Sequence, residues 1–409
     1  MEKNVRLDSH FSEPSRRQPH LLLKPLNDLL PDGSISLGLD PIEKSRMALT
    51  KLFLPDYKTN GIPAFKGLSD AYVHFTGDIY GDGIIKKDKI ATDLRACQDF
   101  NSGSFISALQ YSMNVFIAKS YKEFPFHEEI LISQKHKSID FRKMRSIQFG
   151  YFNELSETDP EAEDYSDIAP YGEEKTDSDF KQHGVIIWVT RMLILNDSIG
   201  IIKAMLQRLS RAARQTHAKY VWKFFTQNAL CPDGTAWFTP AHGNLGNSAL
   251  DILPLVTAIT ALANMTEPGS GEKIGIDLPS FNWSLVAPIG LWDTAVKKNQ
   301  CDSTYTANDL TAKEPNPCMK LFGEKNERII TCPFFTDVND WGVIRDKEDV
   351  PIVEMTYYDG KEDPEIITTN NVEPLGNHAF VGDKIGFKAR HEYCGCLVDY
   401  RNAYKSIVA

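Results

Sequence analysis

Three places in this 409-residue chain hold residues that could do chemistry. Near the middle runs Pro232-Asp233-Gly234-Thr235-Ala236-Trp237-Phe238-Thr239-Pro240-Ala241-His242-Gly243-Asn244-Leu245. His242 could act as a general base. A base needs a nucleophile and an orienting acid in reach, and spacing alone supplies neither. There is no Gly-x-Ser-x-Gly elbow, and Gly269-Ser270-Gly271 sits in a turn-like stretch. The simpler reading is a turn whose side chains hydrogen-bond locally. The second place is His391, Cys394 and Cys396, which look like part of a metal site. Structural zinc takes four ligands, and Cys318 and Cys332 stand at unhelpful spacings. On a strand Cys394 and Cys396 share one face, as packed residues do. Asp359-Gly360-Lys361 and Gly382-Asp383-Lys384 read as turns, and no phosphate-binding or dinucleotide fingerprint appears. The residues therefore assign no catalytic, cofactor or metal site.

The third place is a contrast of charge. Residues 154 to 179 hold eleven acids and one base, Lys175. Residues 198 to 232 hold no acid, but do hold Lys203, Arg208, Arg211, Arg214, Lys219 and Lys223.

These groups need elements to position them. The spacing of Ile199, Ile202, Leu206, Leu209, Ala213, Tyr220 and Phe224 predicts a helix over 198–227 with one apolar face, capped at Asn196-Asp197-Ser198. Arg208, Arg211 and Lys219 fall away from that face, and Lys203 and Arg214 flank it. Further helices are expected from Asp40-Pro41 onward, over 104–119, over 253–265 with Pro254 in the first turn, and over 290–297. Ser138, Ile139, Asp140 and Phe141, with Met144, Ile147, Phe149 and Tyr151, read as a strand. The strong β segment Val185-Ile186-Ile187-Trp188-Val189-Thr190 is expected to pair with it as a long hairpin with a wide acidic tip. Strands follow at 283–287, 328–331, 341–344, 352–358 and 385–393. The order is α+β, without the regular βαβ rhythm of a nucleotide-binding sheet. Residues 1 to about 38 read as an extended arm, broken by Pro19, Pro25, Pro31 and Gly33.

Composition excludes some classes. The formal net charge is −10, which argues against tight nucleic-acid binding by the chain as a whole. The seven cysteines are mostly dispersed and read as free thiols of a reducing compartment. Residues 1–20 have no apolar core, so no signal peptide is visible. The run 252–265 is too short to span a bilayer, so a soluble protein is expected.

From about residue 102 to the C-terminus, the order of motifs resembles the major capsid (head) protein of tailed bacteriophages, of the Hong Kong 97 type. Ser104-Phe105 opens a helix ahead of the hairpin, and Ile194-Leu195-Asn196-Asp197 precedes the long helix. Asp233-Gly234 leads into Trp237-Phe238 and His242-Gly243-Asn244-Leu245. Leu285-Val286-Ala287-Pro288 precedes residues 289–295. Phe387-Lys388-Ala389-Arg390-His391-Glu392-Tyr393 is followed by Asp399-Tyr400-Arg401, which closes the last strand. The pattern is similar to the branch encoded with or fused to a prohead protease.

The resemblance implies an α+β Hong Kong 97-type fold. It implies an N-terminal arm and extension at 1–130, an E-loop hairpin at 131–192, the peripheral domain's spine helix at 193–228, an axial domain at 229–375, and returning C-terminal strands of the peripheral domain at 376–409. An extension of about 100 residues exceeds a minimal arm. The implied function is a major capsid protein, not an enzyme and without a cofactor. It would assemble as homo-pentamers and homo-hexamers into the icosahedral shell of a virion in the host bacterial cytoplasm, around double-stranded DNA. Scaffold, portal and decoration proteins are the expected further partners, and no membrane. The alternative is a shell protein of the same fold for a cellular compartment or a DNA-transfer particle. A hydrolase using His242 would require turnover by the soluble monomer.

On this reading Glu154, Glu157, Asp159, Glu161, Glu163 and Asp164 of one subunit are expected to lie over Lys203, Arg208, Arg211 and Arg214 of the next. One exposed pair contributes only ~0–1 kcal/mol, but many together set register. The competing readings are two solvated faces, or a basic face turned toward packaged DNA. Aromatics interleave with the charges only around Tyr220, itself on the apolar face, so any DNA contact would be non-specific.

Overall fold

A computed structural model describes residues 41–59, 61–76, 102–149, 173–266, 271, 273–274, 282–306, 309–347, 350–368 and 384–408. The expected arm at 1–38 and the acids Glu154, Glu157, Asp159, Glu161, Glu163 and Asp164 lie outside the described residues. In chain order the helices are α1 (Pro41–Phe53), α2 (Leu68–Thr76), α3 (Ser102–Lys122), α4 (Arg191–Leu195), α5 (Ile199–Thr226), α6 (Ile252–Ala263) and α7 (Trp292–Gln300). The strands are β1 (Ile132–Ser138), β2 (Met144–Phe149), β3 (Glu173–Ser178), β4 (Lys181–Thr190), β5 (Leu245–Gly246), β6 (Ser284–Ala287) and β7 (Ser303–Thr306). After them come β8 (Asp309–Pro315), β9 (Ile329–Thr331), β10 (Trp341–Ile344), β11 (Val353–Tyr358), β12 (Glu365–Thr368), β13 (Lys384–Leu397) and β14 (Ala403–Ser406). The α+β order is as the sequence implies.

The chain divides into two compact units. The first takes the described residues up to 119 with 186–206, 366–368 and 384–388. Here α1 and α3 meet through buried hydroxyls, Thr50 Oγ1 to Ser112 Oγ at 3.1 Å, and through the Phe53 and Phe116 rings. Ile366 is pinned at both backbone groups: its N–H donates to Asn114 Oδ1 at 2.6 Å, and its carbonyl accepts from Gln110 at 2.9 Å and Asn114 at 3.1 Å. The Asp197 side chain caps the start of α2 by accepting from Leu68 N–H.

The second unit takes 120–185, 207–365 and 389 onward. One sheet runs β5-β14-β10-β6-β9, and in another β11 lies between β1 and the 393–397 part of β13. Every residue of β6 and β10 is buried. Their short apolar runs, Ser-Leu-Val-Ala and Trp-Gly-Val-Ile, suit central strands covered on both faces. One core gathers Trp222 and Phe225 of α5 with Trp237, Phe238, Met355 and Tyr393. A second packs Leu255, Ala258 and Leu262 of α6 on Trp283, Leu285, Trp341 and Val343. Gly342 is required between them, because a Cβ there would lie 2.5 Å from the Phe225 ring and 2.7 Å from the Tyr404 carbonyl.

The structure corrects three expectations. The segment 185–190 does not pair with the 138–151 strand; β4 pairs with β13. Gly184 permits this, since a Cβ there would stand 2.8 Å from the Ala389 carbonyl. The hairpin is instead β2–β3, in register from Met144 opposite Ser178 to Phe149 opposite Glu173. Asp399-Tyr400-Arg401 does not close the last strand: Arg401 N–H donates to Asp399 Oδ1 at 2.9 Å in a turn, and β14 follows in the other sheet. The buried side of α5 is also rotated from the apolar stripe read in the sequence. It comprises Ile202, Leu206, Ser210, His217, Ala218, Val221, Trp222 and Phe225, so it accepts two polar residues while Leu209, Ala213, Tyr220 and Phe224 sit at its edge.

Candidate assembly surfaces

Helix α5 is 28 residues, about 42 Å at ~1.5 Å per residue. Arg208, Arg211, Lys219 and Lys223 are exposed on its outer side, and Lys203 is half-buried. Among the described residues none of these five has an ion-pair partner. Burial holds the Lys203 ammonium below the ordinary lysine range. Arg211 lies 5.7 Å over the Phe124 ring.

Arg214 behaves differently. Its Nη1 donates to Glu128 Oε1 at 2.6 Å, and its Nε donates to the Phe124 carbonyl at 3.2 Å. His217 Nδ1 also donates to Glu128 Oε1, at 3.2 Å, and the Tyr357 hydroxyl meets His217 Nε2 at 2.9 Å. Burial pushes the Glu128 carboxyl up, but the His217 hydrogen bond and the Arg214 charge outweigh it and hold it below the ordinary glutamate value. Arg214 is thus committed to its own subunit's interior. The sequence did carry a signal for this network: Arg214 and His217 stand three apart on the inner side of an amphipathic helix, where a charge must find a partner.

Two exposed ion pairs bridge the strands of the β2–β3 hairpin. Arg145 pairs with Asp177 through two hydrogen bonds, at 2.9 and 3.3 Å, and Lys143 reaches Asp179 at 3.5 Å. At its root Phe141 stacks on Tyr358 at 4.5 Å and meets Phe180 edge-on at 5.7 Å. Ile139 beside them is 80% exposed.

The enzyme-like residues do converge, but not as a relay. His242 Nε2 faces both Asp233 Oδ2 at 2.8 Å and Thr235 Oγ1 at 2.9 Å. Nδ1 is occupied by the Trp237 carbonyl at 3.0 Å. A catalytic histidine needs nucleophile and acid on opposite ring nitrogens, and here both share one. The Asp233 carboxyl lies below its ordinary range: burial raises it, and the hydrogen bonds from Thr235 and His242 more than offset that.

The imidazole of His242 stacks on Tyr400 at 3.8 Å, and Arg401 lies 4.2 Å over the same Tyr400 ring. Buried Asn244 donates to the Trp237 and Tyr400 carbonyls at 2.8 and 3.2 Å. The Asp233, His242-Gly243-Asn244 and Asp399-Tyr400-Arg401 motifs are therefore one lock, joining the 233–244 loop to the turn before β14. His391 lies on the opposite face of β13 from Cys394 and Cys396, so these three do not converge on one point.

Residues 173–406 match the model of the family described as Phage capsid protein. The chain belongs to this family. As a capsid protein it is a structural component of the virion shell and not an enzyme. Among curated proteins none matches its sequence. Solved structures to which it is similar include the capsid of a native GTA particle, at 12% identity over 70% of this chain and 92% of that one, TM-score 0.44. Mycobacterium phage Patience is matched at 10% identity over 74% and 88%, TM-score 0.45. A virus-like particle from Pyrococcus furiosus is matched at 9% identity over 72% and 96%, TM-score 0.39. No helix among the described residues of the capsid protein is long and apolar enough to cross a membrane.

Proposed function

We propose that this capsid protein is the major wall-forming subunit of a Hong Kong 97-type icosahedral head, assembling as pentamers and hexamers around double-stranded DNA. Residues 131–192 would act as the E-loop, 193–228 as the spine helix, 229–375 as the axial domain and 376–409 as the returning strands, with 1–130 reaching onto a neighbour. The single observation that carries the subunit contact is the outer side of α5. Arg208 and Arg211 have no carboxylate partner among the described residues, while the chain carries six acids between Glu154 and Asp164. The acidic tip of one copy is assigned to Lys203, Arg208 and Arg211 of the next. Each exposed pair contributes ~0–1 kcal/mol, so the network acts through number and register rather than through any one bond.

A basic face turned toward DNA is the second reading, and Tyr220 weakens the base-stacking form of it. Its hydroxyl accepts from Gly395 N–H at 3.1 Å and its ring packs edge-on against Tyr393 and Phe224, so the ring is already engaged within the subunit. Scaffold and portal proteins would be the remaining partners.

Negative-stain electron microscopy of the purified chain across a salt series tests the reading. Closed shells, rings of five or six, or tubes are expected, with yield falling as salt screens the charges. Arg208→Glu/Arg211→Glu should block assembly, and Glu157→Lys/Glu161→Lys in the same chain should restore it. Assembly and salt dependence unchanged by the reversal would refute the contact.

A further inference from the structure

Around Tyr393 of β13 stand three imidazoles whose ring centres lie 4.7 Å (His391), 5.0 Å (His183) and 5.1 Å (His217) from the tyrosine ring. They come from three elements: His391 from β13 itself, His183 from β4, and His217 from α5. His391 is 5% exposed, and it packs against Tyr121 at 5.9 Å and His217 at 5.8 Å. Nε2 of both His391 and His183 is buried and has no hydrogen-bond partner among the described residues. A buried polar nitrogen left unpaired is costly, and a cation there costs more.

We infer that this histidine collar is an acid-operated latch: protonation of His391 and His183 parts the first half of β4 from β13 and opens the strand that carries Cys394 and Cys396. β4 follows β3 after two residues, so the parting also frees the root of the β2–β3 hairpin.

The surroundings of His391 leave new positive charge unbalanced. Arg214 of α5 already supplies one cation, and among the described residues Glu128 is the one carboxylate hydrogen-bonded into the cluster, spent on Arg214 and His217. From β11 comes Tyr357, and from the end of α3 comes Tyr121; burial pushes both hydroxyls well above the ordinary tyrosine range, so neither is a counter-charge. The loop after β11 offers the Glu362 backbone, which takes a hydrogen bond from His391, and Asp363, whose carboxyl burial raises above its ordinary value. Glu392 and Arg390 lie on the opposite face of β13, where Glu392 is engaged by Gln182 at 2.8 Å. On the β4 side Lys181 adds a further positive charge near His183.

Burial, then His217 and His183, depress His391 from 6.5 to about 3, and burial with Lys181 and His217 depresses His183. The sign follows. A base whose folded value is lowered binds fewer protons folded than released, so the closed state is fully favoured above pH 6.5 and is lost progressively as pH falls toward 3. For His391 alone, release favours opening by roughly 30-fold between pH 7.5 and pH 5.0.

Cys394 and Cys396, at 0% and 2% exposure, report the opening directly. The full-length chain is reacted with a dithiodipyridine, which works in acid, from pH 7.5 to 5.0, with rates scaled to a free thiol. The Cys394→Ser/Cys396→Ser chain supplies the background from other thiols. A rise of roughly 30-fold, reduced by both His391→Phe and His183→Gln, is expected. No rise, or a rise that neither substitution reduces, overturns the latch. Should His391→Phe fail to fold at pH 7.5, the half-buried His183→Gln carries the comparison, and a flat wild-type profile is decisive by itself.

Discussion

Arg211 and Arg214 stand three residues apart on one helix and do opposite work. Arg211 faces outward, with a ring below it and no carboxylate partner among the described residues. Arg214 faces inward and holds Glu128 at 2.6 Å beside His217. One turn of α5 therefore separates a cation exposed to solvent from one paired inside the subunit. The inner side of the helix supplies Trp222 and Phe225 to the core, and its outer side keeps a row of cations that nothing in the described chain neutralises.

The largest expected effect sharpens the inner side. Trp222 is fully buried and its indole N–H donates to the Phe126 carbonyl at 3.1 Å. Trp222→Ala should lower unfolding free energy by about 3–5 kcal/mol in chemical denaturation, from cavity and lost contacts. Arg214→Met comes next, at about 3 kcal/mol, because it leaves Glu128 buried with only His217 beside it. It should also move the acid limb of stability to higher pH. Glu128 is held below 4.5, so its contribution is present above that value and lost as pH falls; without Arg214 the loss begins earlier. Gly342→Ala should cost about 1–3 kcal/mol, since the new methyl meets the Phe225 ring and a strand carbonyl at 2.5 and 2.7 Å. Arg211→Ala and Lys219→Ala should change monomer stability by less than about 0.5 kcal/mol, while weakening the salt dependence of assembly. A loss of stability from Arg211→Ala equal to that from Arg214→Met would erase the contrast between the two sides.

Most of the elements were legible, for a local reason. Helix α6 shows Asp251 as its cap, with the carboxylate accepting from Ile252 N–H at 2.6 Å and pairing with Lys298 at 2.7 Å, and Pro254 follows in the first turn. Strands β6 and β10 are uninterrupted apolar runs. Partners were less legible. β4 carries a strong β signal, yet period-two alternation does not say which strand it joins, and the nearest one in sequence was the wrong choice. The short strands β5, β12 and β14 passed unseen because two to four residues hold too few periods to read. Arg214 was read as surface because one flanking position on a helical wheel serves the edge or the interior equally well.

The motif Asp233, His242, Asn244 and Asp399-Tyr400-Arg401 shows the division most clearly. Sequence alone marked those residues as belonging together in order, and turn chemistry identified a local lock. It could not place Tyr400 at 3.8 Å from His242, since 158 positions separate them. The sequence by itself determined most of the helices and the longer apolar strands, where the charges accumulate and the resemblance to the capsid family, because these depend on residue type and near spacing. Only the tertiary structure decided that β4 joins β13, that Arg214 turns inward, and that three histidines from three elements meet at Tyr393. Those outcomes depend on which distant surfaces bury each other, and that is a property of the packed chain rather than of any segment within it.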